Sequence, residues 1–122
     1  MHALSAPPSV ILVVEDEALI RFMAVDVLEQ AGFVTFDACD AAEALRQFAR
    51  HPEIDLLFTD INMPGDVDGL DLAHIVCGAR PDVRLILTSG REHPGVSRIP
   101  SQGLFLQKPY RLDSLLELIG AA

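Results

Sequence analysis

An α/β fold, a doubly wound sheet of five parallel strands with helices on both faces, is what this 122-residue chain predicts, on three observations. Short apolar runs of strand type alternate with longer segments of helical period along the whole chain. The runs at 10–14, 54–58 and 83–87 are nearly unbroken, as strands buried on both faces must be. Carboxylates, hydroxyls or turn residues follow the strands, so polar groups gather along the edge where parallel strands end and ligands bind. Crossovers between such strands are right-handed.

The elements follow in order. Val10-Ile11-Leu12-Val13-Val14 is continuous and β-branched, a central strand that ends in Glu15-Asp16-Glu17. Ile20, Met23, Ala24, Val27 and Leu28 recur at helical spacing, and Gly32 supplies a stop. Residues 33–38 form a more polar second strand, suited to the sheet's edge. Asp40 with Glu43 three residues on has the form of a capping box, followed by the apolar stripe Ala41, Ala44, Leu45 and Phe48, and His51-Pro52 ends that helix. The third strand, 54–58, runs into Thr59-Asp60. Residues 65–69 read as a turn, and Leu70, Ala73, Val76 and Cys77 as a third helical stripe. The fourth strand, 83–87, ends in Thr88-Ser89-Gly90. Pro94, Gly95, Pro100 and Gly103 then interrupt the next crossover, which predicts an irregular or shortened fourth helix. Residues 104–107 form a short fifth strand ending at Lys108-Pro109, and Leu112, Leu115, Leu116 and Ile119 mark a last helix.

A chain of this length suits one domain, 10–122, with 1–9 as a disordered tail that lacks the basic start and long apolar stretch of a signal peptide. Hydrophobic residues make up 50% of it, which argues against disorder. Its 18 acidic and 9 basic side chains give a net charge of −9, so direct binding to nucleic acid or to an anionic membrane surface is not expected; cations and basic protein surfaces are the expected ligands. Cys39 and Cys77 have no metal or redox spacing and suggest a reducing, cytoplasmic setting. No apolar run approaches the ~20 residues of a membrane-spanning helix, so a soluble protein is expected.

The chemistry lies at the strand ends. Glu15 and Asp16 follow strand one, Asp60 strand three, Thr88 and Ser89 strand four, and Lys108 strand five. Neighbouring carboxylates repel unless a cation sits among them, and a small oxygen site of this kind suits Mg²⁺, which leaves positions open for a phosphate. A threonine hydroxyl and a lysine at the same edge would hold phosphate oxygens, and the spare carboxylate would be a nucleophile able to form an acyl phosphate. Lys108 is the only lysine against eight arginines, which sets this placement against the bland reading of a chance surface lysine. His2, His51, His74 and His93 have no metal-site spacing. Met63 reads as a loop side chain packed on the sheet, and Tyr110 as either a recognition residue or the start of the last helix.

Val13-Val14-Glu15-Asp16-Glu17, Thr59-Asp60-Ile61-Asn62-Met63-Pro64, Asp68-Gly69, Thr88-Ser89-Gly90 and Lys108-Pro109 are weak signals singly and specific in this order and spacing. From Val10 onward the chain resembles the CheY-like receiver domain of two-component response regulators. The resemblance implies a flavodoxin-like strand order 2-1-3-4-5 and a phosphoacceptor signalling domain, with only slow self-catalysed phosphoryl transfer and dephosphorylation. By the same resemblance Asp60 accepts a phosphoryl group from a histidine kinase or histidine phosphotransfer protein. Asp16, Asp60 and the backbone carbonyl of Asn62 coordinate Mg²⁺, and Glu15 acts through water. Thr88 and Lys108 contact the phosphoryl oxygens, Thr88 and Phe105 form the switch, and the Lys108-Pro109 peptide is cis. The output goes to an unidentified downstream protein, and a homodimer is compatible with the family.

The chain departs from the family pattern in three places. Between Asp60 and Gly69 it carries one extra residue, in the Gly65-Asp66 stretch, which predicts a reshaped loop; Phe105 stands where tyrosine is frequent; and the fourth helix is interrupted. For 91–101 this predicts an order–disorder switch in place of a helix displacement. The end at Gly120-Ala121-Ala122 suggests a single-domain regulator rather than an excised receiver. Two other functions compete: a hydrolase working through an aspartyl phosphate, for which Asn62 stands where a general acid is needed, and a pseudo-receiver that binds partners without being phosphorylated.

Overall fold

A computed structural model describes residues 9–90 and 98–121. Its elements are β1 (Val10–Val14), α1 (Ala18–Gln30), β2 (Val34–Ala38), α2 (Ala41–Arg50), β3 (Leu56–Asp60), α3 (Gly69–Ala79), β4 (Arg84–Ser89), β5 (Gly103–Gln107) and α4 (Leu112–Ala121). The five strands form one sheet in the order β2-β1-β3-β4-β5, every neighbouring pair parallel. This is the doubly wound architecture expected, with the more polar β2 at an edge.

Strand alternation divides the core in two. Leu12, Val14, Leu57, Leu85 and Leu87 face Ala41 and Ala44 of α2 and Leu70, Leu72, Ala73 and Val76 of α3. Ile11, Val13, Leu56, Phe58 and Ile86 face Ala24 and Leu28 of α1 and Leu115 and Ile119 of α4. The central strands are apolar apart from Arg84 at the start of β4 and the polar residues that end β3 and β4, because both faces are covered. Burying these side chains, at about 25 cal/mol per Å², is what holds the layers together.

Local signals set the helix ends, with two differences from the sequence reading. Gly32 (φ +96°) follows the C-cap of α1; its N–H donates to the Glu29 carbonyl and that of Phe33 to Leu28, the paired bonds of a glycine stop. At α2 the Asp40 carboxylate accepts from the Glu43 N–H at 2.8 Å, but Glu43 Oε1 accepts from Cys39 N–H, one residue before the cap. The reciprocal box lies instead at α3, where Asp68 accepts from Asp71 N–H and the Asp71 carboxylate from Asp68 N–H. In the sequence this stretch reads only as a turn.

The third strand begins at Leu56, two residues later than its apolar run suggests, because the Asp55 carboxylate takes the place of a backbone acceptor for Val10 N–H at 3.0 Å. Ser9 is buried and its hydroxyl accepts from Arg84, while residues 1–8 of the expected tail lie outside the described residues. In the fourth crossover residues 98–102 form turns, with Gly103 N–H bonded to the Pro100 carbonyl, and the expected switch falls mainly on 91–97, outside the described residues. Among the described residues there are four helices, none of them in this crossover.

Candidate functional site

Register builds the site. Val14 lies beside Ala38 and Thr59, Asp60 beside Thr88, and Ser89 beside Gln107, so the residues that end β1, β3, β4 and β5 come together at one edge of the sheet. The ladder continues past the strand ends: Ile61 N–H donates to the Thr88 carbonyl at 2.8 Å and Lys108 N–H to the Ser89 carbonyl at 2.8 Å. The Lys108-Pro109 peptide is cis, as the resemblance implied.

Glu15, Asp16 and Asp60 each place a carboxylate oxygen within 4.8 Å of the others. Glu15 is 4% exposed and Asp60 5%, whereas Asp16 faces solvent. Lys108 Nζ donates to Glu15 Oε1 at 2.6 Å and to Asp60 Oδ2 at 3.2 Å. Burial pushes the Glu15 carboxyl above its ordinary value, against the opposing pull of the Lys108 hydrogen bond. Burial alone would lower the Lys108 ammonium, but the hydrogen bond to Glu15 and the charges of Asp60 and Glu15 outweigh it and hold Lys108 above its ordinary value. One ammonium is thus paired with two of three clustered carboxylates, and the excess negative charge, with one oxygen from each carboxylate close to the others, suits a hard divalent cation.

A second observation concerns a hydroxyl. The Thr88 hydroxyl is buried and has no hydrogen-bond partner among the described residues, beside Asp60 in the register. A buried hydroxyl without a partner is costly, and an acceptor arriving at this edge would relieve it.

The loop after β3 folds back on the site. Asn62 N–H donates to Asp60 Oδ1 at 3.2 Å, and its side-chain amide to the Ser89 hydroxyl at 2.5 Å. Gly69 closes the loop: its N–H donates to the Ile61 carbonyl, and a Cβ there would stand 1.7 Å from the Asp60 carbonyl oxygen. Gly65, with φ +107°, makes the turn between. Two contributors escape the sequence reading, the amide bond from Asn62 to Ser89 and the cap at Asp68. The spacing of Asp71 behind Asp68 was a signal for the second.

The remaining singled-out residues lie as follows. Met63 is buried in the core beneath α2 and α3. Tyr110 meets Phe58 edge to face at 5.7 Å between ring centres and so anchors the start of α4. Phe105 is half-buried, opposite Leu87 and one position before the Thr88 pair. His51 stacks on Phe36, and His74 bonds the Arg98 carbonyl. Among the described residues Glu15, Asp16 and Asp60 are the one group arranged to hold a metal, both cysteines are free, and no helix is long and apolar enough to cross a membrane.

The chain is 32% identical over 113 residues to the chemotaxis protein CheY of Bacillus subtilis, covering 89% of this chain and 92% of that one. It is 31% identical over 121 residues to the transcriptional regulatory protein PdtaR of Mycobacterium tuberculosis, covering 97% of this chain. It spans 58% of the length of PdtaR and 11% of that of the sensor kinase CckA of Brucella abortus, which it matches at 31% identity over 86% of its own length. The response regulator protein TrrA of Thermotoga maritima, solved in complex with Mg²⁺ and BeF, superposes with a TM-score of 0.80 at 28% identity, covering 93% of this chain and 97% of that one. The response regulator receiver domain as a family matches residues 11–120, a span that contains the acidic edge of the parallel sheet. The chain therefore belongs to the response regulator receiver domain family.

Proposed function

We propose that Asp60 is the phosphoacceptor of this receiver, and that its phosphorylation by a histidine kinase or a histidine phosphotransfer protein switches binding to a downstream protein. The observation that carries the reading is Asp60 itself: a buried carboxylate within an acidic trio, 3.2 Å from the Lys108 ammonium and paired in register with a hydroxyl that lacks a partner. An Asp60 carboxylate oxygen attacks the phosphorus, an O–P bond forms as the P–N bond of the donor breaks, and the donor ring, already protonated on its other nitrogen, takes back the P–N electron pair and leaves as neutral imidazole. Lys108 follows the transferred group while keeping its bond to Glu15, and the Thr88 hydroxyl donates to a phosphoryl oxygen. Phe105 then packs toward the space Thr88 gives up. Asp16, Asp60 and the Asn62 backbone carbonyl would hold Mg²⁺, with Glu15 through water. The bound ion supplies neutralisation of charge on the phosphoryl oxygens.

The donor surface in this reading is the face shared by α1 and α4. There Ile20, Met23, Ala24, Pro109, Tyr110 and Leu112 line a groove of about 340 Å³ that reaches Lys108, and the neighbouring Leu19 and Phe22 are exposed. The reading also places the receiver unit at 10–122 and the protein in the cytoplasm, in keeping with two free cysteines.

The test uses two kinds of donor with Mg²⁺. A small acyl phosphate is expected to leave stable label on the parent and none on Asp60→Asn, whose melting temperature stays equal or rises as carboxylate repulsion is relieved. Phe22→Asp is expected to keep labelling by the small donor and to lose most of its labelling by a phosphohistidine protein. Label that survives unchanged in Asp60→Asn removes Asp60 as acceptor; rapid turnover points to a hydrolase, and no label at all to a pseudo-receiver.

A further inference from the structure

Asp16 is exposed and lies on the short stretch between β1 and α1, so its position follows from the backbone that carries it. That backbone is held from both sides of Glu15. The Glu15 N–H donates to the Ala38 carbonyl at 3.1 Å, extending the β1–β2 ladder by one bond. The Glu15 carbonyl accepts from Arg21 Nη1 at 2.8 Å. Arg21 is fixed in turn: its backbone makes the first-turn bond to the Glu17 carbonyl, and its Nε donates to Asp37 Oδ2 at 3.1 Å. Asp37 belongs to β2, and its own carbonyl accepts from Gln47 of α2 at 2.9 Å.

The Arg21–Asp37 pair is unequal in burial, with side chains 14% and 42% exposed, and a pair with one partner so open to water is worth little as an ion pair. What it supplies is geometry. A guanidinium presents its N–H groups in a rigid fork, so anchoring Nε on the edge strand aims Nη1 at the Glu15 carbonyl, a task a flexible ammonium does poorly. We propose that Arg21 is a positioning residue for divalent-cation binding, holding the Glu15–Asp16 peptide between β2 and α1 so that the Asp16 carboxylate meets those of Glu15 and Asp60. The proposal rests on the reading that these carboxylates hold Mg²⁺.

Charge and geometry act in opposite directions here, which makes the proposal testable. As a bare positive charge near the acidic trio, Arg21 would oppose a cation, and its removal would tighten binding. As a positioning group it favours binding, and its removal weakens it. Mg²⁺ affinity of the full chain, measured by calorimetric titration, is expected to fall about tenfold in Arg21→Gln, the scale seen when a group that orients a ligand is lost. Arg21→Lys, which keeps the charge and the stem, is expected to fall nearly as far, and Asp37→Asn less far in the same direction. A second readout needs no metal. In EDTA, hydrogen exchange at the Asp16 and Glu17 amides is expected to accelerate in Arg21→Lys while that of the Leu57 amide in β3 stays as in the parent. Unchanged or tighter Mg²⁺ binding in Arg21→Gln overturns the proposal, and so does exchange that rises equally at all three amides. A parent that binds no Mg²⁺, or an Asp16→Ala variant that binds as the parent does, overturns the cation-site reading itself and the proposal with it.

Discussion

Asp60 and Lys108 stand 48 positions apart in the chain and 3.2 Å apart in space, and the chemistry of the site follows from how their charges are shared with Glu15. Glu15 is where burial outweighs its partner, so its carboxyl is raised above the ordinary 4.5. A carboxyl with a higher value in the fold than in the unfolded chain holds its proton more tightly when folded. That contribution to stability is fully present below 4.5 and is lost as pH rises through the raised folded value. In EDTA, Glu15→Gln is therefore expected to compare best with the parent near neutral pH and to lose ground as pH falls through the window just above 4.5. Urea unfolding of both proteins across that range checks it, and a pH-independent difference would contradict the role of burial. The presence of Glu15, Asp60 and Lys108 at strand ends was readable from sequence, whereas the Lys108 hydrogen bonds to both carboxylates were not, because side-chain rotamers at a sheet edge are chosen by neighbours from distant strands.

At the scale of elements, caps and glycines decide how the loop after β3 returns to the site. Asp68→Ala removes the reciprocal cap of α3 and is expected to cost about 1 kcal/mol of stability in chemical denaturation. The two loop glycines should behave differently for different reasons. Gly65→Ala meets no atom within 4 Å and suffers only from φ +107°, a penalty of about 1 kcal/mol. Gly69→Ala places a methyl 1.7 Å from the Asp60 carbonyl oxygen, which demands backbone movement. A loss of up to about 3 kcal/mol is expected, together with impaired phosphorylation, because the displaced backbone is that of Asp60, the proposed acceptor. Equal effects of the two substitutions on labelling would refute this distinction. Asp-Gly marks a turn as strongly as it marks a helix start, which is why the Asp68 cap was hidden in sequence while that at Asp40, placed before an obvious apolar stripe, was visible.

The whole molecule carries a net charge of −9, and three of its carboxylates cluster at one sheet edge. A cation that binds only the folded state stabilises it by mass action, by about 2.7 kcal/mol at a hundredfold excess over its dissociation constant. Mg²⁺ is therefore expected to raise the melting temperature of the parent, and Asp16→Ala to abolish most of the rise; equal shifts in the two proteins would remove Asp16 from the ligand set. The acidic balance also bears on partners, since a phosphodonor surface approaching the α1–α4 face, as proposed above, would gain from basic residues around an apolar centre.

The sequence by itself determined the number of strands, the burial of the three central ones on both faces, the edge position of β2 and the convergence of Glu15, Asp16, Asp60, Thr88 and Lys108. These are local matters: a strand covered on both sides has to be apolar throughout, and a polar residue at its end has to lie at the sheet's edge. Tertiary structure alone decided that Lys108 reaches Glu15 across 93 positions, that Gly69 seals the loop after β3 against Asp60, and that Arg21 spans from Asp37 to the Glu15 carbonyl. Those contacts are set by register and packing between elements far apart in the chain, and no periodicity within a single element encodes them.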